Sequence, residues 1–345
     1  MRAMVLKGSA LSIEDVPTPE PGPLQVLARV RACGICGSDL HAARYMDDMI
    51  AASRASGRTA WDTLDPSKGI IMGHEFVAEV VKAGPGAEQW TPGTRVTGVP
   101  VLPAPDMPNG FLSIGYSPET PGAYGEYVIM GAPVLLQVPD SLPDEVAATT
   151  EPCAVGLHAV RQACLKDGEH ALVMGAGPIG LMTLLWLKKE GVAHVAVSDF
   201  APTRRALAEK LGADLVINPA EQDVAGAVAA AAGSAPPVVF ECVGVQGTLE
   251  QAMELTGRYG RVIVVGVCML EDTIRPMVGI NKHLSVQFVL GYTPAEYEEA
   301  LGALADGSIN AAPMVTRRVT LDELPDAFLS LADPSDCKVV LIPEG

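Results

Sequence analysis

The segment CGICGSDLH, Cys33 to His41, sets thiol, hydroxyl, carboxylate and imidazole groups side by side, and GHE at Gly73 to Glu75 adds a second imidazole next to a second carboxylate. Few and mixed donors of this kind suit a catalytic metal. Structural zinc sites close with four Cys or His ligands, whereas catalytic sites use three protein ligands and keep one position open for water or substrate. Cys33 and Cys36 also form a CxxC, but the surrounding pattern is not the βαβ entry of a redox pair, and Cys33 reads as a small buried residue.

A second motif, GAGPIG at Gly175 to Gly180, fits GxGxxG. It follows an expected strand and opens a helix through Pro178 and Ile179, and an acidic residue, Asp199, ends the next strand about 20 residues on. Each glycine has a task. Gly175 permits the tight turn, Gly177 lets backbone approach a pyrophosphate at the helix N-terminus, and Gly180 lets helix and strand pack closely. Asp199 would accept from both ribose hydroxyls, which favours NAD over NADP, although Arg204 and Arg205 stand close enough to attract a 2'-phosphate.

The elements that must position these groups change character near residue 150. Up to about Asp140 the chain is rich in Pro and Gly with short β-branched runs (Val26 to Val30, Phe76 to Val81, Thr94 to Val99, Tyr127 to Met130), an irregular β-rich unit with few long helices. From Ala171 onward strands alternate with helices: ALVMGA, PIGLMTLLWLKKEG, HVAVSD, APTRRALAEKLGA, DLVIN. That alternation predicts parallel βαβ units and an α/β fold. Further strands are expected at Val238 to Cys242, Arg261 to Val267, Leu284 to Leu290 and Lys338 to Ile342, with helices over Gly247 to Thr256 and Pro294 to Asp306. The two units are expected to pack across a cleft.

At 345 residues, 48% hydrophobic and 19% charged, the chain can bury two ordinary cores, and its net charge of -17 argues against nucleic acid or an anionic membrane as partner. No apolar signal core precedes Glu14 and Asp15. The longest apolar run, Val262 to Leu270, is broken by Gly266 and falls short of the roughly 18 residues a spanning helix needs. No membrane span is expected. Seven irregularly spaced cysteines read as reduced thiols in a cytoplasmic protein.

With EPCAVGLHAV (Glu151 to Val160), FECVG (Phe240 to Gly244), VIVVGV (Val262 to Val267) and the closing KVVL, these motifs resemble the zinc-dependent medium-chain alcohol dehydrogenases over nearly the whole chain, in the polyol (sorbitol) or threonine dehydrogenase-like branch. The resemblance implies a GroES-like β-rich catalytic domain, residues 1–150 and 291–345, and a Rossmann doubly wound parallel sheet, residues 151–290, that binds NAD. It implies one catalytic Zn2+ per chain on Cys36, His74 and Glu151, with Glu75 exchanging in. It maps a proton relay onto Ser38 and His41 and places Asp39 behind the ligands. Because no cysteine occurs from Val99 to Gly125, the second zinc of many relatives is not expected.

The chemistry then follows. A metal-bound alcohol loses its proton more readily, as bound water does at a pKa of about 7 in favourable sites, and the alkoxide releases hydride to a nicotinamide held beside it. The proton would leave through Ser38, the cofactor ribose and His41, while Asp39 holds a ligand imidazole in its tautomer. Lys338 is expected on the pyrophosphate, and the peptides near Val243, Val265 and Val267 on the nicotinamide ribose and carboxamide. Competing readings are a zinc-free quinone or enoyl reductase of the same superfamily and a nonenzymatic nucleotide-binding protein; neither needs Cys36, His74 and Glu151 together.

Other residues read more plainly. Cys153 competes weakly as a ligand, His158 is a core histidine, and His170, His194 and His283 carry no evident chemistry. Residues Ala42 to Lys68 form an insertion with Met46, Met49 and Ile50 at helical spacing, either an added surface helix or a pocket wall bearing Tyr45, Trp61 and Tyr116. The edge strands at Arg261 to Val267 and Leu284 to Leu290 predict a homodimer or homotetramer acting on a small alcohol or carbonyl substrate.

Overall fold

The computed structural model describes residues 1–57, 65, 67–104, 110–331 and 335–343. Contacts divide the chain into two compact units, Met1–Glu151 with Val315–Ala332 and Lys338–Gly345, and Pro152–Met314 with Asp333–Cys337. The first begins with β1 (Arg2–Lys7), β2 (Ala10–Asp15), β3 (Gln25–Gly34), α1 (Gly37–Ala55), β4 (Glu75–Ala83) and β5 (Arg95–Gly98). There follow β6 (Val101–Pro103), β7 (Phe111–Ser113), β8 (Tyr127–Gly131), β9 (Leu135–Gln137), α2 (Asp144–Ala147) and α3 (Thr150–Gln162), which crosses the boundary. The second unit runs through β10 (Ala171–Met174), α4 (Pro178–Lys189), β11 (Val195–Ser198), α5 (Pro202–Lys210), β12 (Leu215–Ile217), α6 (Val224–Ala232) and β13 (Val238–Glu241). It continues with α7 (Thr248–Leu255), β14 (Arg261–Val264), α8 (Pro276–Lys282), β15 (Ser285–Phe288) and α9 (Pro294–Ala305). The chain then returns to the first unit with β16 (Val315–Val319), α10 (Leu324–Ser330) and β17 (Lys338–Leu341).

In the first unit the main sheet is ordered β16-β17-β3-β4-β5-β9, with β8 also on β3. β3 explains its own centrality: Val26, Ala28, Val30 and Ala32 are buried on one face, while Arg29 and Arg31 turn outward to Glu79 and Asp144. That is the two-residue period of a strand with one covered face. α1 departs from expectation. It is a 19-residue helix that starts inside the motif itself, with Met46, Met49 and Ile50 buried and a break in helical geometry at Tyr45. The glycine and polar residues at its start hide it from a hydrophobic-period reading, and the capping that Asp39 provides replaces that signal. Its second half is the added helix foreseen for the insertion; Trp61 lies outside the described residues.

The second unit holds a six-stranded parallel sheet in the order β12-β11-β10-β13-β14-β15. Leu172, Met174, Ala196, Val239, Val262 and Ala252 form its core on one side. Strands buried on both faces read as the continuous apolar runs seen in the sequence. The segment 291–314, expected with the first unit, clusters with the second. α9 buries Tyr297, Ala300, Leu301 and Leu304, and His158 and Arg161 of α3 reach its Glu296 and Glu299. Among the described residues no helix is long and apolar enough to cross a membrane.

The packing of α4 on β10 rests on Gly180, where an added Cβ would stand 1.9 Å from the Gly175 carbonyl oxygen. Gly180→Ala is therefore expected to destabilise the second unit by about 1–3 kcal/mol, seen as an earlier melting transition; an unchanged melt would show that the loop and helix are not in close contact.

Candidate active site

Cys36 stands where β3 gives way to α1, in extended conformation, as the residue that caps the helix. Asp39 reaches back toward its N–H at 3.4 Å. This turn aims the first helical side chains at His74, which immediately precedes β4. Ser38 Oγ donates to Cys36 Sγ at 3.1 Å and lies 3.5 Å from His74 Nε2. The Tyr116 hydroxyl is 2.7 Å from the same Oγ, so with Ser38 donating to sulfur, Tyr116 is the donor in that pair. The Tyr116 ring also stacks at a tilt against His74, centroids 5.2 Å apart.

Behind His74 lies a buried chain of polar groups. His74 Nδ1 is 3.3 Å from Asp39 Oδ1, and the Tyr124 hydroxyl donates to Asp39 Oδ2. Asp39 is fully buried. Burial alone would lower the His74 pKa, yet Asp39 and then Cys36 outweigh it and lift it well above its ordinary value. Asp39 shows the converse: burial opposes its charge, but His74 and Tyr124 hold its pKa below the ordinary range. Burial, then the charge of Glu75, pushes the Cys36 thiol up.

Glu75 and Lys338 are assigned differently from the sequence expectation. Lys338 Nζ lies 2.8 and 2.7 Å from the two oxygens of Glu75 and 3.0 Å from the Ile35 carbonyl, and both side chains are buried. An ammonium has three N–H donors, and all three are used. In this arrangement Lys338 turns to Glu75 and the Ile35 carbonyl, and Glu75 faces that ammonium. Position in the closing strand revealed nothing of where the side chain turns. Gly34 makes room for this pair, since a Cβ there would lie 2.2 Å from Glu75 Oε2.

The donors that fit a metal are Cys36 Sγ and His74 Nε2, which meet across Ser38 Oγ. The Asp39 carboxylate 3.3 Å from Nδ1 favours a proton on that nitrogen, which would leave Nε2 to ligate. A thiolate with an imidazole suits zinc. Glu151 sits in the first turn of α3, half-buried, and among the described residues no three His, Cys, Asp or Glu side chains form a ready ligand cluster. His41 lies one turn beyond Ser38 on α1. Its Nδ1 is buried without a hydrogen bond, and burial followed by Arg44 lowers its pKa. Its ring stands edge-on to Tyr45, centroids 6.4 Å apart.

In the second unit Gly175 has φ +91°, and a Cβ on it would lie 2.9 Å from Val243 Cγ2. The loops after β10 and β13 therefore touch, at the point where the strand order reverses, the place where parallel sheets bind nucleotides. Gly177 caps α4, and Pro178 and Ile179 begin it. Asp199 accepts from Ala176 N at 2.7 Å and from Ala201 N at 2.8 Å, tying the glycine loop to the end of β11. Arg205 turns to the carbonyls of Asp199 and Phe200, while Arg204 faces Gly177. Val243 and Val267 are exposed and Val265 is buried.

The plainer readings also find their places. His158 pairs with Glu296, His170 with the Ser234 carbonyl, and His283 stacks on Tyr259. Cys153 is fully buried, its thiol pushed up to about 12 by that burial. Sequence reasoning did not single out Tyr124, whose role depends on a partner 85 positions away. It also left Glu241 unassigned inside FECVG.

Residues 22–140 match the family model of the alcohol dehydrogenase GroES-like domain, and residues 178–306 that of the zinc-binding dehydrogenases. The chain is 32% identical to (R,R)-butanediol dehydrogenase of Bacillus subtilis (strain 168), covering 96% of each. It is 31% identical to human sorbitol dehydrogenase, covering 96% of this chain and 92% of the relative. Its fold matches the crystal structure of a zinc-binding dehydrogenase from Sinorhizobium meliloti 1021 bound to NADP, with TM-score 0.86, 30% identity and 99% of both chains covered.

The Lys338–Glu75 pair yields a direct expectation. Lys338→Met leaves a buried carboxylate without its cation and is expected to cost about 3–5 kcal/mol, with Glu75→Gln added to it recovering more than half. Urea unfolding of the single and double variants measures both; a single variant as stable as the parent would mean the pair does not support the sheet.

Proposed function

The chain belongs to the zinc-binding medium-chain dehydrogenases, a family of zinc-dependent alcohol and polyol dehydrogenases, and on that premise we propose that it moves hydride between a secondary alcohol or polyol and NAD, with a ketone or aldehyde as the carbonyl partner. The observation that carries this reading is the Cys36–His74 pair, backed by Asp39 and bridged by the Ser38 hydroxyl. Cys36, His74 and Glu151 would hold one zinc. When bound, zinc supplies Lewis-acid stabilisation of the alkoxide oxygen. A zinc-free reductase has no use for a thiol and an imidazole meeting over a hydroxyl.

The chain's own groups do the rest. Tyr116 donates to Ser38, which orients the Ser38 hydroxyl to take the alcohol proton, and His41 passes it toward solvent. Its lowered pKa makes His41 a ready proton donor to water. Asp199 and the glycine loop support NAD, since a 2'-phosphate would meet the Asp199 charge. Arg204 is the group that would answer such a phosphate, and the Sinorhizobium neighbour carries NADP. The names of the Bacillus and human relatives favour diols and polyols as substrates, and a chain of this composition works in the cytoplasm on small molecules.

The purified protein is expected to carry about one zinc per chain, to reduce NAD faster than NADP with secondary alcohols and polyols, and to lose metal and turnover together in Cys36→Ala. Metal analysis and NADH absorbance check this; full activity after exhaustive chelation would refute it.

A second copy of the chain is the proposed occupant of β15. Among the described residues this strand pairs with β14 alone, all four of its residues are exposed, and the nearby Leu290, Met277 and Ile280 are exposed apolar residues as well. An unpaired edge beside such a surface is normally covered by another chain. Light scattering at micromolar concentration is expected to give a dimer or tetramer, and Phe288→Lys a smaller species; a monomeric parent would overturn this.

A further inference from the structure

Both turns that follow β13 and β14 are organised by one residue. Glu241, the last of β13, is 2% exposed and gathers four backbone N–H groups. Its side-chain Oε1 accepts from Val243 at 2.8 Å and Gly244 at 2.9 Å, and its carbonyl accepts from Val265 at 2.9 Å and Gly266 at 2.8 Å. The turns are pressed together. A Cβ on Gly244 would lie 2.5 Å from Val267 N, and one on Gly266 2.7 Å from Glu241 Oε2. With the Gly175–Val243 contact, the loops after three adjacent strands, β10, β13 and β14, form one continuous floor at their carboxyl ends.

The charge on this residue is unusual in its surroundings. A buried carboxylate is costly unless a cation or several hydrogen bonds answer it. Among the described residues Glu241 has two backbone N–H groups and no ion pair. Its field reaches its neighbour: the Cys242 thiol is pushed up by burial and then by the Glu241 charge. In a doubly wound sheet the two nucleotides of a dinucleotide lie on opposite sides of the switch point. Asp199, at the end of β11, marks the adenosine side, so β13 and β14 mark the nicotinamide side.

We propose that Glu241 is a positioning residue for the nicotinamide half of the cofactor, and that its carboxylate, which has no cation partner among the described residues, makes the enzyme favour the cationic ring of NAD+ over the neutral ring of NADH. The proposal rests on the NAD reading above. It goes beyond it by assigning a preference between the redox states of the bound cofactor to one side chain. A shape-only role would weaken both forms of the cofactor alike; a charge role separates them.

Calorimetric titration of the zinc-loaded full chain with NAD+, NADH and ADP-ribose tests this on Glu241→Gln, which keeps an oxygen acceptor and removes the charge. The expected result is an NAD+ Kd raised about tenfold, an NADH Kd changed less than about twofold, and an unchanged ADP-ribose Kd, as a lost charge interaction of ordinary size at short range would give. Glu241→Asp keeps the charge with shorter reach and is expected to weaken NAD+ and NADH together while retaining the parent's preference for NAD+; it serves alone if the Gln variant fails to fold. Equal weakening of NAD+ and NADH in Glu241→Gln, or loss of that preference in Glu241→Asp, would overturn the proposal. Failure of the parent protein to bind ADP-ribose would instead overturn the NAD reading beneath it.

Discussion

The buried ion pair between Lys338 and Glu75 is the constraint on which the candidate site depends. Glu75 follows His74 directly, and the Ile35 carbonyl that Lys338 also holds precedes Cys36 directly. One ammonium therefore fixes the backbone on either side of the thiol and imidazole, from a strand 263 residues away in the chain from Glu75. Removing two charges from water is expensive, and only close pairing with further hydrogen bonds offsets it. Here the pair has such bonds, and β17, β3 and β4 are locked in register around it.

From that base the polar groups build outward in order. Asp39 caps α1 and so places its own carboxylate against His74, while Tyr124 satisfies its other oxygen. Ser38, one residue earlier on the same turn, is thereby delivered between Cys36 and His74, and Tyr116 closes over it. Helix capping and site assembly are the same event. The second unit repeats the logic with glycines in place of charges. Gly175 and Gly180 let the loop lie flat on the sheet, and Asp199 and Glu241 pin the loops on either side of it.

What could be read from sequence was what is local in sequence. The meeting of Cys36, Ser38, Asp39 and His74 and the tight turn of the glycine loop were legible because residue type and short spacing set them, and the parallel strands because buried runs are continuous. The pairing of Lys338 with Glu75 was hidden because the partner lies across the fold, and a strand position does not say which face a lysine turns to. The start of α1 was hidden because a cap made by Cys36 and Asp39 has no hydrophobic period. The clustering of 291–314 with the second unit was hidden because the partners of α9, among them His158 and Arg161 of α3, lie far away in sequence.

Charge balance explains why so many ionisable groups can share this buried volume. Lys338 cancels Glu75, which leaves Asp39, His74 and Cys36. With the thiol protonated and His74 carrying a proton for Asp39, the group is neutral, and the lifted His74 pKa and lowered Asp39 pKa express that pairing. A divalent cation taken by Cys36 and His74 would displace the thiol proton and the Nε2 proton. Two positive charges then stand against a thiolate and the Asp39 carboxylate, and the sum is again zero. Glu151, half-exposed at the head of α3, can bring its own charge while still touching water. The exchange of two protons for one metal ion thus leaves the interior neutral only because the ammonium of Lys338 has already removed Glu75 from the sum.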